Sequence, residues 1–239
     1  MEQVRYVANS ENYSKIPGQQ IAYWVSETFS SLFDGDSISG YGASRQGLIT
    51  GNNERFLRMW FETSSDKMSI FSGKKWFPYN KGGLYRKWFG NNELVVNWEN
   101  DGYEIKNYKD SSGKLLSRPQ NLQYFFRLSI TWTALTSGIF NARYSSNNFI
   151  FDAKGSSFFA DDEKKLEHIL GFLNSKVANY ILKVISPTLD YNAGVIAKLP
   201  YKNENDIDVQ TFVESSINCA KSDWDSFETS WDFKKHPLI

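Results

Sequence analysis

The residues best equipped for chemistry in this 239-residue chain sit in one stretch, GKKWFPYNKGGLYRKW at positions 73–88, with five cations, five aromatic rings and no acid. From Lys67 to Asn92 there are six Lys or Arg and no Asp or Glu, so the local charge is +6 in a chain whose formal charge is zero. Cations interleaved with rings suit a surface that meets nucleic acid. Lys74, Lys75, Lys81, Arg86 and Lys87 would face phosphates, while Tyr79, Asn80 and Tyr85, with Trp76 and Trp88, are available for stacking or base contact. Gly82 and Gly83 permit close backbone approach. The same composition also suits a solvated hairpin whose rings are core and whose cations keep it soluble, and spacing does not separate the two readings.

Three other stretches carry side chains that can read base edges. SRQGLITGNNERF (44–56) offers Arg45 and Gln46, SRPQN (117–121) offers Arg118, Gln120 and Asn121, and FNARY (140–144) offers Arg143. Arg, Gln and Asn present the forked groups that pair with guanine and adenine in a groove. The 44–56 stretch reads equally well as a tight turn built on Gly47 and Gly51 with Asn52 and Asn53 at its tip.

Catalytic patterns are missing. The chain has no GxSxG elbow, no Walker-type phosphate loop and no HExxH. One cysteine, Cys219, excludes an internal disulfide, and two histidines are too few for an independent metal cage. Asp161 and Asp162 precede a helical pattern, where acids complement the helix dipole. The start, MEQVRYVANSENYSKIPG, has no apolar signal region, and no stretch has the length of apolar sequence that crosses a bilayer, so the expectation is a soluble, cytoplasmic protein without membrane contact.

The elements that must position these groups read as an α+β fold: a sheet-rich target-recognition core with flanking helices and a helical C-terminal tail. Helical spacing predicts a helix over 19–33 after Pro17-Gly18, closing a lead-in segment 1–34. Short β-prone runs, FLRMWFE, ELVVNWE, QYFFRLSITWTAL and FIFDAKGSSFF, fill a core domain of 35–200. Within it one long helix is predicted over 161–186, with Asn174-Ser175 as a polar packing notch. VIAKLPY reads as strand or loop, and 201–239 as an acidic helical tail.

In this order the segments RQGLITGNNERFLRMWFE, GKKWFPYNKGGLYRKWFGNNELVVNWENDG, RPQN, ITWTALTSGIFNARY, LNSKVANYILKVISPTLDY and DWDSFETSWDF resemble the C-terminal portion of BREX phage-defence adenine-specific DNA methyltransferases of the PglX type, related to type II restriction-modification enzymes. The resemblance covers nearly the whole chain. It implies N6-adenine methylation by S-adenosylmethionine in the parent enzyme, whose Gly-containing cofactor loop and (Asn/Asp)-Pro-Pro-(Tyr/Phe) motif are both missing here. Trp76-Phe77-Pro78-Tyr79 lacks the first polar residue and the second proline. The implied role is a double-stranded DNA target-recognition module, with no cofactor and no catalysis of its own, joined through 1–34 to a methyltransferase catalytic domain and acting with other BREX or restriction components. Acids gathered in the tail would balance a positive groove on another face. The alternative is a protein-interaction module that binds a defence-complex partner or a phage DNA mimic.

Overall fold

The computed structural model describes residues 10–188, 190–202 and 207–239; residues 1–9 of the lead-in segment and 203–206 of the tail lie outside them. The described residues form eight α-helices and eight strands, and the strands make two four-stranded sheets, so the chain is α+β. No helix among them is long and apolar enough to cross a membrane.

The first sheet has the order β1-β8-β5-β6, built from β1 (Gly42–Arg45), β5 (Ser129–Trp132), β6 (Ala142–Ser145) and β8 (Ser157–Ala160), all antiparallel. The second has the order β2-β4-β3-β7, from β2 (Leu57–Met59), β3 (Trp76–Asn80), β4 (Leu94–Asn97) and β7 (Ile150–Phe151). Here β7 runs parallel to β3 and pairs only with Tyr79 and Asn80. Pro78 therefore lies before the β7 ladder begins, and its missing N–H breaks no bond on that side.

Strand β8 joins the two cores. Because successive side chains on a strand point to opposite faces, Phe158 packs with Ile130, Trp132 and the helices, while Phe159 packs with Leu48, Phe125 and Phe151 of the second sheet's core. The strand positions between the apolar ones are polar. Thr131 lies opposite both Arg143 and Ser157, and Ser129 lies opposite Ser145. All five are buried. Asn80 of β3 donates to the Ser145 hydroxyl at 2.7 Å, which ties the second sheet to this polar row.

Helix α1 (Ser10–Lys15) precedes the turn at Pro17. The helix expected over 19–33 is reduced to α2 (Glu27–Ser31), followed by a 3-10 turn over Leu32–Asp34. Gly18 and Gln19 take positive φ values of 87° and 51°, which stop a helix from starting there. Ser26 sets the start instead, its hydroxyl accepting from the Phe29 amide at 3.1 Å. Ile21, Tyr23 and Trp24, placed on the buried face of that expected helix or beside it, are exposed. Two further short helices, α3 (Asn53–Phe56) and α4 (Glu99–Lys106), flank the second sheet.

The long helix expected over 161–186 is two helices, α5 (Glu163–Leu173) and α6 (Lys176–Ile185). Asp162 caps the first, its carboxylate accepting from the Lys164 amide at 3.0 Å, as acids at a helix start should. The break falls at Asn174-Ser175. Ser175 caps α6 by accepting from the Ala178 amide at 3.1 Å. The Asn174 carboxamide accepts from the Ala142 amide and donates to the Ala142 carbonyl, both at 3.0 Å, and so reads the edge strand β6 as another strand would. The packing role expected for this pair holds; the continuous helix does not.

VIAKLPY is neither strand nor simple loop, because Val195, Ile196 and Ala197 finish α7 (Ala193–Ala197), whose start is capped by Asn192. The tail forms α8 (Ile207–Trp224), which buries Val213, Ile217 and Trp224. It lies close on α5 because residue 171 is glycine: a Cβ there would stand 2.8 Å from Val213 Cγ2.

Replacing Asn174 by Ala strands the buried amide of Ala142, whose carbonyl keeps the Trp88 amide at 2.9 Å. Since each unmet group costs about 1–3 kcal/mol, the urea midpoint of Asn174→Ala should fall with an unchanged slope, whereas Asn179→Ala, at the surface-facing end of the same region, should fall far less.

Candidate nucleic-acid interface

The basic stretch 73–88 is not one loop. Its first half is β3, an interior strand of the second sheet, and only residues 81–88 leave the sheet. The correction follows from the aromatic residues and Pro78, which pack between neighbouring strands rather than facing a duplex. Tyr79 and Asn80 are buried, so the stacking and base-contact roles expected of them are not available in this conformation. The Tyr79 hydroxyl donates to Asp152 Oδ2 at 2.7 Å and lies 3.2 Å from the Leu48 carbonyl. Burial, then the Asp152 carboxylate, pushes its pKa well up.

Most cations of the stretch are held by partners inside the molecule. Lys75 pairs with Glu99 at 2.9 Å. Lys81 pairs with the buried Asp152 at 2.9 Å and reaches Asn53 Oδ1 at 3.2 Å. Arg86 pairs with Asp223 of α8 at 2.9 Å and lies over the Trp224 ring, 4.8 Å from its centroid. Lys87 donates to the Asn174 carbonyl at 2.7 Å at the end of α5, where a cation complements the helix dipole, and burial lowers its pKa. Lys74 is exposed and has no ion pair among the described residues. The tail acids were expected to balance this charge from another face; Asp223 instead neutralises Arg86 by direct contact.

Arg143 is 1% exposed and has no route to a base edge. Its guanidinium donates to Asn141 Oδ1 at 3.0 Å, its Nε has no partner, and burial pulls its pKa down to about 10. It belongs to the polar row between the sheets. Tyr85 is exposed, beside Lys87 and Ile139.

The remaining candidates converge. Ile49 and Arg118 exchange backbone hydrogen bonds at 3.0 and 2.8 Å, which brings the 44–56 and 117–121 stretches side by side. Gln120 Nε2 donates to the Gly47 carbonyl and Asn121 Nδ2 to the Gln46 carbonyl, both at 2.8 Å. These amides are thus partly used as scaffold, and they hold the side chains of Gln46 and Arg118 in solvent. Gly47 is required for the approach to β7, since a Cβ there would stand 1.8 Å from the Phe151 carbonyl oxygen.

Arg45 lies over the Tyr124 ring at 5.2 Å, and Arg127 lies over the same ring at 5.3 Å. Tyr124 and Arg127 fall in the β-prone run QYFFRLSITWTAL, which is expected to be strand; residues 122–124 are instead a 3-10 turn. Among the described residues Arg45, Arg118 and Arg127 have no ion-pair partner. Arg45 and Arg127 thus share the Tyr124 ring, and the segment that carries Gln46 is tied to Asn121 and, through Ile49, to the backbone of Arg118.

Two curated proteins match the chain along nearly its full length. The adenine-specific methyltransferase PglX of Lacticaseibacillus casei (strain Zhang) is 41% identical over 244 aligned positions, covering 98% of this chain and 20% of that protein. The chain is homologous to a segment of the PglX-type adenine-specific methyltransferases. The adenine-specific methyltransferase BrxX of Escherichia coli O9:H4 (strain HS) is 36% identical over 232 positions, covering 95% of this chain and 18% of that protein. The chain thus spans about a fifth of the length of these PglX-type relatives, in agreement with the resemblance read from the order of its motifs. No protein-family model matches it.

The partners divide the cations into two classes with different mutational signatures. Lys81→Ala leaves Asp152 buried without its cation and should lower stability on the order of 3 kcal/mol. Lys74→Ala should change it by less than about 0.5 kcal/mol. Thermal and urea unfolding of the two variants measures the split.

Proposed function

We propose that this chain is the DNA target-recognition part of an adenine-specific DNA methyltransferase used in phage defence, holding the duplex and reading bases around the adenine to be modified. The homology to PglX-type methyltransferases supplies the reaction context. The observation that carries the recognition role is that Arg45, Arg118 and Arg127, which have no carboxylate partner among the described residues, stand on chain segments that the Ile49–Arg118, Gln120–Gly47 and Asn121–Gln46 contacts tie together. An enzyme that flips its target base needs a separate surface to hold the flanking duplex. Guanidiniums supply both phosphate attraction and bidentate contact with guanine. On this reading S-adenosylmethionine and the chemistry belong to the rest of the parent enzyme, and the chain alone neither binds the cofactor nor methylates DNA.

One observation favours a protein contact elsewhere on the molecule. Ile21, Trp24, Leu32, Val177 and Tyr180 are exposed large side chains on or beside α2 and α6. Such a face suits docking to the catalytic domain or to a partner in a defence complex.

Duplex binding across a salt series tests the proposal. Replacing Arg118 and Arg127 together by Ala should weaken binding and flatten the log–log salt slope by up to about two units while leaving the melting temperature unchanged. Selection from randomised duplexes should yield an enriched motif. Arg118→Ala or Gln46→Ala should then lose about 1–3 kcal/mol at a single base position. Salt-insensitive binding, or no enriched motif, sinks the reading.

A further inference from the structure

The C-terminal segment closes a cavity that the recognition role does not use. It has a volume of about 460 Å³ and lies between α5, α8, the turn after α8 and the chain around residues 89–92 and 146–149. That is within the range of sites that enclose small molecules. Phe89, Phe149 and Trp231 give it aromatic walls, with Phe149 and Trp231 packed at a centroid distance of 6.0 Å.

Its polar groups are unequally satisfied. Asn92 is 6% exposed and lines the cavity, yet its carboxamide has no hydrogen-bond partner among the described residues. A buried amide facing a cavity without a partner is set for a ligand or water. Glu167, 8% exposed, and Glu214 also line it, and neither forms an ion pair among the described residues. Gln210 Nε2 donates to Glu214 at 2.9 Å, and its side chain also bonds to Glu167. Lys221, the cavity's own cation, is engaged by Asp225 at 2.6 Å and Asp232 at 3.3 Å.

We propose that this cavity binds a small organic cation, an ammonium or guanidinium on an apolar stem, with the charge at Glu167 and Glu214 and the stem against Phe149 and Trp231. Two carboxylates with no ion-pair partner among the described residues, the cavity's own Lys221 being held by Asp225 and Asp232, favour a positive ligand over a neutral one. Aromatic walls favour a cation with apolar carbon over a bare metal ion, and no cluster of metal-ligating groups occurs among the described residues. Burial, then the nearby Glu214 carboxylate, pushes the Glu167 carboxyl up, so an empty cavity holds this pair at a cost that a bound cation offsets. The inference is independent of the proposed DNA-binding surface, which shares no residue with the cavity.

Calorimetric titration of the 239-residue chain at 150 mM salt with agmatine as probe tests it, with adenine as a neutral planar control. Saturable one-to-one binding of agmatine is expected, with no binding of adenine. Glu214 is exposed, so Glu214→Gln should fold normally and should weaken agmatine about tenfold or more, the loss of one hydrogen bond to a charged group. Trp231→Leu should weaken it as well, without changing its salt dependence. Absence of saturable binding overturns the proposal. So does equal affinity in Glu214→Gln, which would mark non-specific attraction to an acidic surface, and so does tighter binding of adenine than of agmatine.

Discussion

The alternation of Phe158 and Phe159 along β8 is the constraint on which the rest of the molecule depends. One residue faces the helices and the other faces the second sheet, so a single strand contributes to both apolar cores. Between those cores runs a row of small polar side chains and one buried guanidinium. Thr131, Ser145, Ser157 and Asn80 can be buried there because they bond to one another or to nearby carbonyls. A one-residue slip of β8 would put Ser157 in the place of Phe158 in one direction, or Ala160 in the place of Phe159 in the other, and so cost one of the two cores its ring.

The second organising fact is that charge is mostly spent inside the fold. Asp152 receives Tyr79 and Lys81, Asp223 receives Arg86, and a helix end receives Lys87. Side chains that look alike in sequence therefore differ in what they can offer a partner. A cation already satisfied by a buried carboxylate must break that pair to meet a phosphate, and removing the pair exposes an uncompensated charge. Guanidiniums over Tyr124 are in a different position: the ring orients them and no carboxylate among the described residues neutralises them, although Arg45 also donates to the Ser44 carbonyl and the Tyr124 hydroxyl.

This explains which parts of the molecule were legible in the sequence. Short β-branched runs such as Leu94–Asn97, and the capped start at Asp162, were visible because local chemistry determines them. The break at Asn174 was not, since Asn tolerates a helix interior and only the distant backbone of Ala142 reveals its use. Trp76–Asn80 hid among lysines because local charge density says nothing about the Tyr79 hydroxyl reaching Asp152, 73 residues away. The helix over 19–33 failed for a local reason, Gly18 and Gln19 in left-handed conformation. Gln46, Arg118 and Asn121 stood out by residue type, but the approach of their segments depends on the Ile49–Arg118 pairing, and Arg127 was concealed by its apolar neighbours.

The placement of that pairing has a consequence for how the chain can change over time. The loops at 46–53 and 117–121 lean on the second sheet, whereas α2, α5, α6, α7 and α8 gather on the far side of the first. Substitutions at the tips of those loops, at Gln46 or Arg118, touch neither core and leave the Gly47 and Ile49 backbone contacts in place. The loop tips can thus change their side chains while the frame that carries them stays intact, so what this surface presents to solvent is uncoupled from what folds the chain.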